Sequence, residues 1–162
     1  MIRLEIQTPE EMAGLGRRIA RQLRAGDIVA LNGELGAGKT TLTRGLGDEL
    51  GVRGAVTSPT FVLARTHPRT DGGAPLVHVD AYRLDGAAEL DDLDIDFDGS
   101  IVVVEWAAGM LDGISDSLLE VSIARPTGAG GASVQAEDLG GPEPRQVSIR
   151  PLGPRWERHP FA

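Results

Sequence analysis

Gly33-Glu34-Leu35-Gly36-Ala37-Gly38-Lys39-Thr40 follows the pattern G-x-x-x-x-G-K-[ST], and no other feature of the chain restricts its fold as strongly. The chain's own composition predicts only about 0.002 matches by chance. Such a loop needs a buried strand before it and a helix after it. Its glycines let backbone amides turn inward, and the helix N-terminus adds partial positive charge beneath a phosphate. Asp27–Asn32 reads as the strand, and Lys39–Leu50, stopped by Gly51, reads as the helix. Lys39 is the single lysine among 16 Lys and Arg residues. A compact ammonium fits inside a tight phosphate loop where a planar guanidinium does not. Lys39 is therefore expected to reach the β- and γ-phosphates of a nucleotide, with the Thr40 hydroxyl on magnesium.

Around this motif the pattern is that of an α/β protein. Ile2–Ile6 is a strand candidate. Thr8-Pro9-Glu10-Glu11 reads as a helix start, with Thr8 as N-cap, Pro9 at the first helical position and Glu11 closing a capping box. Met12, Leu15, Ile19 and Leu23 then share one helical face, and Gly26 ends that helix. Thr60–Thr66 and Leu76–Leu84 flank Asp71-Gly72-Gly73 and read as a hairpin. Gly86–Leu93 predicts a short helix. Ile101–Val104 is the most β-prone run, and Leu118–Ala124 and Gln146–Arg150 predict later strands. Pro126–Pro144, rich in Gly, Pro and Ala, predicts a surface loop. The expected fold class is a single P-loop NTPase domain over 1–152, a mixed central sheet flanked by helices, with an irregular tail over 153–162.

Composition narrows the function. The chain has 162 residues, no cysteine and a formal net charge of −8. Disulfides and thiolate metal sites are excluded, and extensive contact with a nucleic-acid backbone is disfavoured. No stretch approaches the ~18 apolar residues of a membrane span. Met1–Glu5 lacks the apolar run of a secretory signal, so the expected location is the cytoplasm.

A nucleotide-hydrolysing site of this kind also needs carboxylates near the metal, normally at strand ends. Glu105 follows Ile101–Val104 and Asp80 closes Leu76-Val77-His78-Val79-Asp80, so both are candidates for magnesium and for catalysis beside Lys39. Asp94, Asp96, Asp98, Gly99 and Glu105 also satisfy the EF-hand calcium spacing. An EF-hand loop runs into an exit helix, however, and the β-branched run 101–104 opposes one, so the aspartates read as a solvated acidic face. Ser58 and Thr60, in Thr57-Ser58-Pro59-Thr60, are switch-like hydroxyls placed to sense a γ-phosphate. His67, His78 and His159 show no ligand spacing.

The N-K-x-D motif by which guanine-specific P-loop proteins resemble one another is absent, which favours ATP over GTP. A P-loop small-molecule kinase is the rival reading, but Arg125, Arg145, Arg150, Arg155 and Arg158 are too scattered for an arginine lid. A nucleotide-gated binding module, with hydrolysis incidental, is a further reading. Gly33–Thr41, Thr57–Phe61, His78–Leu84, Glu89-Leu90 and Val104-Glu105-Trp106 occur in an order that resembles the TsaE (YjeE) family. The resemblance runs from Thr8 to about Ala124. It implies an ATPase subunit, weak alone, of the bacterial machinery that makes threonylcarbamoyladenosine in tRNA, with TsaD and TsaB as protein partners and ATP and Mg2+ as cofactors. It implies that Thr40 and Glu105 hold magnesium, supported by Asp80. The nucleotide-binding set is then Thr8, Gly33, Glu34, Leu35, Gly36, Ala37, Gly38, Lys39, Thr40 and Thr41, with Arg145 as an adenine contact. Asp94 departs from the family pattern, where glycine is common.

Overall fold

In the computed structural model, which describes residues 1–34, 36–54, 56, 64–81, 84, 87–105, 111, 114–125, 144–158, 160 and 161, the strand β2 (Ile28–Gly33) lies at the centre of a 7-stranded sheet. Its consecutive apolar residues are buried on both faces, as a strand covered by helices on one side and chain on the other requires. The sheet order is β1-β7-β6-β2-β5-β4-β3. The other strands are β1 (Ile2–Ile6), β3 (Ala64–His67), β4 (Leu76–Asp80), β5 (Ile101–Glu105), β6 (Leu118–Ala124) and β7 (Arg145–Leu152). β6, β2, β5 and β4 run parallel, while β7 pairs antiparallel with β6 and β1, and β3 antiparallel with β4. The mixed sheet matches the α/β expectation.

The helix α1 (Pro9–Ala20) begins as its sequence dictates. Thr8 Oγ1 accepts the Glu11 N–H at 3.1 Å, and the Glu11 carboxylate accepts the Gln7 N–H at 2.7 Å, one residue before the usual partner in a capping box. The helix stops at Ala20, well before Gly26. The Asp27 carboxylate captures the Arg24 N–H at 2.8 Å, and this local bond competes with a further helical turn. Leu23 still packs against the core.

The helix α2 (Lys39–Leu50) has the expected bounds, with Gly51 left-handed at its C-cap. α1 and α2 share one face of the sheet, burying Met12, Leu15, Ile19, Leu42 and Leu46 against Val29, Leu31, Val103 and Val121. They approach closely. A Cβ on Gly16 would strike the Leu42 carbonyl, and one on Gly45 would strike that of Ala13. The opposite face buries Ile28, Ala30, Val77, Val79, Val102 and Val104 beneath Leu84, Leu90 and Leu111. Leu90 lies on the short helix α3 (Ala87–Asp91).

Several boundaries differ from the sequence reading. β4 ends at Asp80 rather than Leu84: the Ala81 N–H makes the last rung of the β4–β5 ladder, to the Glu105 carbonyl, and the Leu84 N–H then closes a turn onto Ala81. β3 and β4 form the expected antiparallel pair, although the expected strand residues 60–63 lie outside the described residues. β7 is longer than Gln146–Arg150, and its Pro151 lies past Ile149, the last β7 residue that β1 reaches. Most of the expected loop, 126–143, is outside the described residues.

The tail is corrected outright. Pro154–Arg158 form the helix α4, and its Trp156 belongs to the core cluster beneath α1 and α2. Arg155 holds it there. Its Nε and Nη2 donate to the two Asp27 carboxylate oxygens at 2.9 and 3.1 Å, and Nη2 also donates to the Gln22 carbonyl at 2.7 Å. Removing one partner of a buried pair strands the other charge. Arg155→Ala is accordingly expected to lower unfolding free energy by about 3 kcal/mol, read from urea denaturation. Gly45→Ala is expected to cost about 1–3 kcal/mol by forcing α1 and α2 apart, read by the same titration.

Candidate functional site

At Gly33 the chain leaves β2 and enters the glycine loop. Gly36 (φ 80) and Gly38 (φ 115) take backbone angles open to glycine and strained for other residues. Gly38 is the N-cap of α2 and offers no side-chain acceptor, and the first turn of the helix carries no acidic residue. The first-turn N–H groups lack intrahelical carbonyls, so the positive end of α2 stays uncompensated. That arrangement is a ready anion site. Met12 packs on Gly38, which sets the N-terminal part of α1, and with it Thr8, next to the loop. The Thr8 hydroxyl oxygen is committed to the α1 cap.

Lys39 is only 7% exposed, and its Nζ donates to the Gly33 carbonyl at 2.5 Å and the Glu34 carbonyl at 3.2 Å. Burial lowers its pKa, and the attraction of Glu105 and Asp80 works against that shift. Glu105 and Asp80 are register partners at the carboxyl ends of β5 and β4, and Leu31 of β2 is the next residue in the same row. The parallel register thus brings the two carboxylates to the edge from which the glycine loop departs. Glu105 is 5% exposed, and its Oε2 lies 2.5 Å from His78 Nε2. Thr40 and Thr41, on the first turn of α2, are half-buried beside Lys39.

Arg145 has a role the sequence did not suggest. Its Nε donates to the Ala37 carbonyl at 3.0 Å and its Nη2 to the Gly36 carbonyl at 3.4 Å, so it straps the outer side of the loop to β7. A Cβ on Gly36 would stand 3.5 Å from Arg125 Nη1, so a second guanidinium flanks the loop. Leu35, Ser58, Thr60 and Trp106 lie outside the described residues. The structure opposes the calcium reading: Glu105 belongs to a strand paired on both edges, not to an exit helix. Asp94, Asp96 and Asp98 are exposed, while Leu93, Ile95 and Phe97 between them pack on the core. His78 was missed, although its place two residues before Asp80 puts both on one face of a strand.

Fold and site together define an α/β protein with a lysine-bearing glycine loop at the carboxyl edge of parallel strands, faced by two carboxylates. Residues 6–130 match the family model described as "Threonylcarbamoyl adenosine biosynthesis protein TsaE", and the chain belongs to that family. A Streptomyces coelicolor protein named "tRNA threonylcarbamoyladenosine biosynthesis protein TsaE" is 53% identical over 148 residues, spanning 90% of this chain and 93% of its own. The Bacillus subtilis protein of that name is 33% identical over 150 residues, 92% of this chain and 85% of its own. The crystal structure of Bacillus subtilis YdiB superposes with a TM-score of 0.70 at 28% identity, covering 97% of this chain and 89% of that one. No helix among the described residues is long and apolar enough to cross a membrane.

One titration follows from the flank of this site. His67 is buried, and burial, His78 and Arg65 in that order lower its pKa. The unfolded chain therefore binds the proton more readily than the folded one. Stability is full above the ordinary histidine value of about 6.5 and falls as pH drops below it, by at most about 1.4 kcal/mol per pH unit for one proton. His67→Phe is expected to flatten that part of the stability–pH curve, measured by denaturant unfolding at pH 7.5 and 5.5.

Proposed function

We propose that this chain binds ATP with magnesium on Gly33–Thr41 and hydrolyses it slowly. Hydrolysis regulates or resets a TsaB–TsaD complex that makes threonylcarbamoyladenosine in tRNA, in the cytoplasm. The carrying observation is the buried Lys39 ammonium at the N-terminus of α2, within electrostatic reach of Glu105 and Asp80. The first-turn N–H groups at that end of the helix favour an anion, and the loop amides suit a polyphosphate.

The residues present also fit magnesium. No group of three or more His, Asp or Glu among the described residues forms a closed metal cage. Magnesium usually keeps several waters and takes one or two carboxylates with phosphate oxygens. Thr40, Glu105 and Asp80 are such a sparse oxygen set. When bound, the ion would neutralise charge on the transferring phosphoryl group. Lys39 would bind the phosphates, Glu105 and Asp80 would hold the metal and orient water, and the loop amides would hold the nucleotide in line. Arg145 supports the loop's conformation through Gly36 and Ala37. The TsaE names of the relatives, extending over most of the chain, support the tRNA pathway. The net charge of −8 supports protein partners over extensive tRNA contact.

Two variants test the reading. Charge-assisted contacts contribute about 1.5–3 kcal/mol each, so losing two of them with Lys39→Ala should weaken Mg–ATP binding by at least about a hundredfold in calorimetry. Glu105→Ala should retain magnesium-free nucleotide binding yet lose the magnesium-dependent gain in ATP affinity, and lose turnover by about 10²–10³-fold, alone and with TsaB–TsaD present. Unchanged turnover in both variants would reject the assignment.

A further inference from the structure

Glu105 carries a buried carboxylate that the ammonium of Lys39 attracts, and something must hold it at the strand tip against that pull. His78 is fully buried in the middle of β4, and its Nε2 is the hydrogen-bond partner of Glu105 Oε2. The β4–β5 register pairs His78 with Val103 and Asp80 with Glu105. His78 is therefore the diagonal neighbour of Glu105 on the same face of the sheet, within reach of a long side chain. We propose that His78 is a positioning residue for the phosphate site. It fixes one oxygen of Glu105 and so presents the other to the loop side, toward magnesium and the attacking water. The inference rests on the function proposed above and assigns a part of that site to a residue with no other evident task.

The second nitrogen of the ring supports this assignment. His78 Nδ1 is buried and has no hydrogen-bond partner among the described residues. The ring meets Glu105 Oε2 through Nε2, so the whole of its observed polar contact is made with that carboxylate. A histidine with half its polar capacity unmet is a poor choice for core packing, since an aliphatic residue would fill the same space without that cost. Among the described residues, the one bond its side chain makes goes to Glu105. A hydrogen bond of this kind fixes the orientation of a metal-binding side chain, and losing such a bond commonly costs 10–100-fold in metal affinity or activity.

The test compares His78→Gln, His78→Asn and His78→Leu in the full chain. A glutamine amide nitrogen reaches about as far as Nε2, whereas an asparagine amide stops near Nδ1. ATP affinity is measured by calorimetry with and without magnesium, turnover with TsaB–TsaD, and melting temperature on the same samples. His78→Asn and His78→Leu are expected to lose about 10–100-fold of the magnesium-dependent gain in ATP affinity and of kcat. Magnesium-free ATP affinity should stay within about twofold, because the loop itself is untouched. His78→Gln should recover most of both losses. Wild-type magnesium dependence in His78→Asn would overturn the proposal, as would equal losses in the glutamine and asparagine variants that simply track melting temperature. If His78→Leu fails to fold, the glutamine–asparagine contrast decides alone. Failure of the wild-type chain to take up Mg–ATP would instead reject the phosphate site itself, and this inference with it.

Discussion

Strand β2 is hydrogen-bonded along both edges, to β5 on one side and β6 on the other, and this double pairing governs the site. A strand held on one edge could slip or fray at its end. Held on both, β2 delivers Gly33 to one defined point at the carboxyl edge of the sheet. The same ladder carries across β5 to β4, so Leu31, Glu105 and Asp80 form a single row. Because side chains alternate with a period of two, a slip of one residue in either ladder would turn a carboxylate to the opposite face. The placement of the two carboxylates and the sheet register are thus one constraint.

The glycine loop is pinned at its other end by α2, and α2 in turn by α1. Glycines at the crossing let the two helices approach to backbone contact, so the start of α2 cannot drift relative to the sheet. Arg145 adds a third restraint from β7. Inside this frame several charges sit together at some expense of stability. Lys39 and Glu105 are buried, and the positive end of α2 meets no acidic side chain in its first turn. Each arrangement costs stability in the fold taken by itself. The His78–Glu105 bond is a further buried polar contact in this frame, and it ties the Glu105 carboxylate to β4.

Legibility in the sequence followed the range of the interactions. The start of α1 was readable because Thr8, Pro9 and Glu11 act within one turn of each other. The bounds of α2 were readable because glycines mark both ends, and β6 because its alternation is local. The end of α1 was misplaced since one side chain, Asp27, redirects the backbone there. The helix α4 was invisible for a different reason. Five residues show no periodicity, and Arg155 finds its anchor 128 positions away. At the site, Lys39, Thr40, Asp80 and Glu105 were legible as residue types at strand and helix ends. The Arg145 strap, 108 positions from Ala37, was not.

By itself the sequence determined the chemistry available: a glycine loop with one ammonium, and two strands ending in carboxylates. It did so because glycine permissiveness, helix-terminus polarity and β-branched preference act over a few neighbouring residues. Tertiary structure alone decided which groups meet. Parallel pairing set Asp80 beside Glu105, the diagonal of that ladder gave Glu105 to His78, and the fold of the last strand brought Arg145 to the loop. Those meetings depend on register between strands far apart in the chain, and register is fixed by the packing of whole faces rather than by any local run of residues.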